Sequence, residues 1–237
     1  RCARARCTGA RAQERGSRTR SAQRTRAAST SRVPAAMGVL AEATAALAPA
    51  ALRLDGGAGS LGAEQFLRAC GLVLPVLGAL GAGLAVVKAD IGGNIDRLSK
   101  RREEDPGKYK ALFDIVRAEM DARTASRTDS CTNALLWLRR AMAFVAALVG
   151  ELASDASLEC APAAAAAYER TLKRHHGWLV QQGVTLALKL APARARFEAA
   201  TGGAGADEMA AFVAAAEPAL EEVRVFLDTH GLDDVAV

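Results

Sequence analysis

Little in this chain is suited to cross-linking, to metal or to sheet. The 237 residues hold five cysteines, Cys2, Cys7, Cys70, Cys131 and Cys160. An odd, scattered set with no CxxC pair argues against a disulfide framework and against a zinc site. Aromatic residues supply only 4% of the chain, and β-branched runs with regular hairpin signals are missing, which removes the usual grounds for strands. The sequence has no GxSxG, no HExxH and no Gly-rich loop ending in GK[ST], so it offers no recognisable nucleophile elbow, zinc-protease helix or phosphate loop. His175 and His176 are adjacent, about 100° apart on a helix, with no Cys or carboxylate at ligand spacing. No metal and no cofactor are expected.

What is present is alanine, and with it helix. Hydrophobic residues make up 51% of the chain, alanine leads them, and the apolar repeats fall at spacings of three and four. The expected class is all-α, in about eight helices. One covers 38–53, and "GAEQFLRACGLVLPVL" forms the next. A long helix runs from about Leu84 to Glu104. Asp105 then serves as N-cap and Pro106 as first residue of a helix carrying Tyr109, Leu112, Phe113, Val116 and Met120. "CTNALLWLRRAMAFVAALVGEL" is another strong helix. "ECAPAAAAAYERTLKRHHGWLVQQGVTLALKLAP" reads as one long helix that bends near Gly177 and Gly183. A short helix and a final one follow around "TGGAGAD". Several faces are wholly apolar, which suits a layered helical domain better than a four-helix bundle.

Charge divides the chain. Residues 1–36 hold ten arginines, no lysine and one acid, Glu14, a net +9; the rest carries −4 against the total of +5. Any argument for nucleic acid therefore rests on that segment alone, and no nucleic-acid partner is expected. Residues 1–36 read as a disordered Arg-rich tail ahead of a domain at 37–237. Three origins fit it: translated sequence upstream of an initiator at Met37, an organellar transit peptide, or a basic arm. No secretory signal precedes Met37, and a reducing cytoplasm is the expected compartment. Residues 69–87 carry no charge over 19 positions, just enough to cross a bilayer. Pro75 and four glycines break the stretch, so two short buried helices joined by a turn are expected instead.

Polar residues embedded in apolar helices are the candidate site. Asp90, Asn94 and Arg97 stand at i, i+4 and i+7, on one helix face. Trp137 lies in "NALLWLRRAMAF", and His176 with Trp178 in "LKRHHGWLV". Each has an ordinary reading alone: a solvated row, a core tryptophan, a satisfied histidine. Asp accepts hydrogen bonds, a carboxamide both donates and accepts, and a guanidinium donates, so the row can match neighbouring hydroxyls of a sugar. A Trp ring offers a flat apolar face with an N–H at its edge.

Together these stretches resemble the glycolipid transfer proteins. The family's D-x-x-x-N-x-x-K/R helix appears as "DIGGNIDR", its Trp followed by basic residues as "ALLWLRRAMAF", and its late Y-H-G-W as "HHGWLV". "DPGKYKALFDIV" matches the segment between, and the likeness is clearest over residues 60–230. The resemblance implies a two-layer helical sandwich around a hydrophobic lipid chamber. It implies non-enzymatic transfer of glycosphingolipid, of the glucosyl- or galactosylceramide class, by a monomer that is cytoplasmic and transiently peripheral at membranes. It makes Asp90, Asn94, Arg97, Trp137 and His176 the headgroup site, with Asp90 taking the ceramide N–H and His176 donating to its C=O. Trp178, Lys173 and Arg174 become the membrane contact. Phosphosphingolipid relatives carry cations where Asn94, Asn133 and Trp137 stand, so sugar is favoured over ceramide-1-phosphate, the nearest alternative. A glycolipid sensor without bulk transfer is the second alternative. An enzyme using Asp90 and His176 would lack a nucleophile. The closing "GLDDVAV" lacks the aromatic that many relatives carry there.

Overall fold

In the computed structural model the alanine-rich periodicity becomes eleven α-helices among the described residues, which are 38–55 and 59–233. They are α1 (Val39–Leu47), α2 (Pro49–Leu52), α3 (Ala63–Leu72), α4 (Leu74–Ala79), α5 (Ala85–Glu104), α6 (Leu112–Asp121), α7 (Cys131–Ser154), α8 (Cys160–Arg170), α9 (Trp178–Leu188), α10 (Arg194–Ala200) and α11 (Ala206–Thr229). Short 3-10 turns occur at Ala82–Leu84 and Lys173–His175. The expected all-α sandwich is what forms. The readings made for the Arg-rich segment lie outside the described residues.

α7 is the centre, packed against α5, α6, α8 and α11. α1 joins α11 to α3, and α3 returns to α5. The second layer thus closes over the first around one core, whose fully buried large side chains include Phe66, Phe144, Phe197 and Phe212. Each such side chain contributes about 1.5–3 kcal/mol by leaving water. The start of α7 is fixed by polar groups. Ser130 Oγ accepts from Asn133 N–H at 2.9 Å, and the buried Glu119 of α6 accepts from the Cys131 and Thr132 amides, each at 2.8 Å. Thr132 Oγ1 donates to the same carboxylate at 2.7 Å. A carboxylate suits that end of a helix, where unpaired N–H groups and the dipole are positive.

The uncharged stretch 69–87 breaks as expected. Pro75 opens α4, and Gly81 turns the chain at φ +87. No helix of the described residues is long and apolar enough to cross a membrane. Gly83 is needed for closeness: a Cβ there would sit 2.3 Å from the Ala187 carbonyl oxygen at the end of α9.

Several helix boundaries differ from expectation: the helix expected over 38–53 is α1 and α2, parted at Ala48, and "GAEQFLRACGLVLPVL" is divided between α3 and α4 at Val73. The helix after α5 begins at Leu112, and neither Pro106 nor Tyr109 belongs to it. Asp105 Oδ1 accepts from Lys108 N–H at 3.0 Å, closing a turn in place of a helix. Ala111 is held extended, at φ −85 and ψ 141, by a neighbour distant in sequence: Ala63 N–H donates to Lys110 C=O and Leu112 N–H to Leu61 C=O, both at 2.8 Å. That tertiary pairing overrides the local N-cap signal. The long helix expected over 159–192 is two, α8 and α9, separated by residues 171–177. Gly177 takes an extended conformation at φ −64, ψ 160. Gln181 Nε2 then satisfies the carbonyls that the break exposes, Lys173 at 3.0 Å and His176 at 2.7 Å. Gly183 lies inside α9 without interrupting it.

Candidate functional site

The spacing of Asp90, Asn94 and Arg97 survives in α5, and the fold brings Trp137 from α7 and His176 from the α8–α9 break to the same place. All five line one cavity of about 420 Å³. Its lining is mixed: the polar groups are joined by Val86 and Val87 of α5 and by Val180 and Val184 of α9.

Trp137 and His176 are stacked, with ring centroids 5.6 Å apart and planes 13° from parallel. The Tyr168 hydroxyl lies 2.9 Å from His176 Nδ1. A tyrosine that engages Nδ1 leaves Nε2 as the ring nitrogen open to a ligand. Burial lowers the His176 pKa, Asp90 opposing the shift and Arg140 adding to it, which favours the neutral imidazole. Burial in the cleft pushes the Asp90 carboxyl above its usual range. The Asn94 carboxamide facing it, then His176 and Arg97, hold it back. A carboxylate desolvated in this way gains from any donor a ligand brings.

Two carboxamides are incompletely satisfied. Asn94 Nδ2 faces the Asp90 carboxylate without closing a hydrogen bond to it, and Asn133 Oδ1 is buried without a hydrogen bond from the protein. Asn133 Nδ2 donates to Thr128 C=O at 2.8 Å, which fixes the amide and leaves its oxygen free. Buried polar atoms cost free energy unless paired, so a free donor and a free acceptor in one cleft suit a ligand bearing both. Arg97 stands differently: its Nη1 lies 3.4 Å from the carbonyls of Thr128 and Ser130, so it braces the loop before α7.

Asn133, which the sequence marks only as a place without a cation, lines the cavity. It stands four residues before Trp137, on the same face of α7, and that spacing was the available signal. Tyr168 has no such signal, because its partner His176 lies across the interruption between α8 and α9.

Outside the cavity, α9 exposes its apolar side chains. Trp178 is 72% exposed, with Leu179 and Leu186 of the same helix and Leu190 just beyond it also exposed. Lys173 pairs with Glu169, and Arg174 Nε donates to His175 Nε2 at 3.0 Å. A larger open groove of about 890 Å³ runs between α7 and α11 but contains none of the expected residues. Among the described residues no cluster of three His, Cys, Asp or Glu could hold a metal ion.

The cavity therefore combines polar and apolar lining within an all-α protein, which suits an amphiphilic ligand. The family model for glycolipid transfer proteins (GLTP) matches residues 61–203. Glycolipid transfer protein 1 of Arabidopsis thaliana is 40% identical over 179 residues, 75% of this chain and 89% of that protein. Human pleckstrin homology domain-containing family A member 8 is 35% identical over 183 residues, 72% of this chain but only 35% of that longer protein. The chain belongs to the glycolipid transfer protein family. The solved GLTP-fold structure concerned with how FAPP2 selects simple glycosphingolipids superposes with a TM-score of 0.70 at 31% identity, covering 76% of this chain and 91% of that one. A point mutant of Arabidopsis ACD11, complexed with C12 ceramide-1-phosphate, shares the fold with a TM-score of 0.75 at 21% identity, over 84% of this chain and 98% of that one.

Proposed function

We propose that this protein binds a glycosphingolipid and carries it between membranes, making and breaking no bond. One observation carries the reading: Asp90, Asn94, Trp137 and His176 meet in a cavity where Asn94 Nδ2 and Asn133 Oδ1 are buried without a closed hydrogen bond to the protein. A sugar supplies hydroxyls that donate and accept, and Trp137 supplies a face for its ring. The ceramide amide gives its N–H to Asp90 and takes a hydrogen bond from His176, and the hydrocarbon chains follow the valine lining. Each buried methylene contributes about 0.8 kcal/mol, which offsets extraction from the bilayer.

A phosphate headgroup fits less well. Arg97 is the one cation among the described lining residues, and its guanidinium is turned to the Thr128 and Ser130 carbonyls. An anionic headgroup needs a convergent set of charged donors. The glucosyl- and galactosylceramide class is the preferred ligand. The protein acts as a monomer without nucleic acid, in the cytoplasm and peripherally at membranes. Trp178 and the exposed leucines of α9 enter the interface, where an amphipathic ring is at home, with Arg174 and Lys173 near the headgroups.

The test is transfer of fluorescent glucosylceramide, galactosylceramide and ceramide-1-phosphate between vesicles. Movement of the sugar lipids alone is expected. Movement of ceramide-1-phosphate in their place would overturn the headgroup assignment, and binding without movement would make the protein a sensor.

A further inference from the structure

The last described residues reach back to the helix that carries Trp137. α11 ends in a Schellman motif: Gly231, at φ +67, donates its N–H to Asp228 C=O at 2.9 Å, and Leu232 N–H donates to Leu227 C=O at 2.8 Å. Leu232 is buried by this turn, and Asp233 arrives against two consecutive arginines of α7. Arg139 Nη2 donates to Asp233 Oδ1 at 3.2 Å, while Arg140 Nη2 donates to the Asp233 main-chain carbonyl. Both arginines are nearly enclosed, 7% and 4% exposed. Burial lowers the Arg139 pKa and Asp233 opposes that shift, as an anion beside a buried cation should. The Arg140 guanidinium carbon lies 5.3 Å from the centroid of the Trp137 ring. Arg140 is not among the residues lining the cavity.

We infer that the segment after α11 is a positioning strap for the sugar platform: Asp233 locates the Arg139–Arg140 pair, and Arg140 in turn holds the Trp137 ring in register with His176. The inference rests on the proposed glycolipid reading. Arg139 and Arg140 are positioning residues; neither lines the cavity. Two like charges side by side in a nearly closed site need an anion to stay there. The strap supplies the Asp233 carboxylate beside Arg139 and the Asp233 main-chain carbonyl to Arg140. A desolvated cation over an indole biases its orientation by several-fold to about thirtyfold, so loss of the strap loosens the ring without removing the apolar lining of the cavity.

The experiment reads the ring first and the lipid second. With Trp178→Phe as parent, Trp137 is the remaining tryptophan, and its emission and acrylamide quenching are measured without lipid. Gly231→Val places a β-branched residue where φ is positive and so displaces Asp233; Asp233→Ala removes the carboxylate. Both variants, and Arg140→Leu, are expected to shift the emission and raise quenching, while Arg140→Lys stays close to the parent. Affinity for water-dispersed short-chain glucosylceramide is expected to fall about tenfold in the three disrupting variants, with short-chain ceramide, which has no sugar, unchanged. Unaltered Trp137 emission in Gly231→Val and Asp233→Ala overturns the strap, and so does an equal loss for both lipids. A parent that does not prefer glucosylceramide to ceramide refutes the glycolipid reading instead, and the lipid-free emission still decides the strap.

Discussion

Replacing Asp90 separates recognition from stability more cleanly than any other change in the cavity. Burial already raises its pKa, so the ionised carboxylate is less favourable in the folded protein than in water. Its neighbours Asn94, His176 and Arg97 recover only part of that penalty. Asp90→Val therefore leaves the thermal midpoint unchanged or slightly raised. Binding moves the other way. A hydrogen bond to a charged acceptor contributes about 1.5–3 kcal/mol, so losing the bond from the ceramide N–H weakens glycolipid about 10- to 150-fold. Transfer between vesicles falls below detection in the same variant. The assay pairs a melting curve with titration of short-chain glucosylceramide, and Asp90→Asn serves as the isosteric control. A variant that unfolds early would make Asp90 a structural residue, and one that binds normally would remove it from the headgroup site.

Glu119→Ala strands two amides and a hydroxyl at the start of α7 and should cost about 2–4 kcal/mol; urea unfolding reads it, and a cost near zero would show that water replaces the carboxylate freely. Trp137→Arg is expected to weaken glucosylceramide by removing the stacking face, and unchanged affinity in the same titration would remove stacking from the account. Trp178→Ala should weaken attachment to vesicles about tenfold while leaving the affinity for dispersed short-chain glycolipid intact, since its ring is outside the cavity. Acid should destabilise the fold through His175, whose pKa is lowered to about 4 by burial, with Arg140 and Arg174 contributing. The unfolded histidine takes its proton near 6.5 and the folded one only near 4, so stability is full above pH 6.5 and is lost as pH falls through that window. His175→Gln should flatten the Tm decline between about pH 7 and about pH 4.5, and an unchanged slope would assign the decline to other groups.

Much of this was legible along the chain, because helices write their geometry into local spacing. The i, i+4, i+7 row of Asp90, Asn94 and Arg97 needs only about 3.6 residues per turn to share a face. Pro75 and Gly81 divide the uncharged stretch by their own backbone restrictions. The apolar periods around Trp137 put that helix at the centre of the core. Asp105 and Pro106 show where such reading stops: their capping chemistry is sound, but the pairing of residues 110–112 with 61–63 competes with it and wins.

The all-α class, the row on α5 and the residue types that could meet a sugar were determined by the sequence alone, since each depends on propensity and periodicity within one helix. Only the tertiary structure decided which of those groups remain available. It turned Arg97 toward the Thr128 and Ser130 carbonyls, left Asn94 Nδ2 and Asn133 Oδ1 without a closed hydrogen bond, and stacked His176 on Trp137 across a break between helices. It also brought Asp233 to Arg139, 94 residues away. The physical reason is that a polar atom's freedom depends on what lies opposite it in space, and a helix period carries no information about the element packed against it.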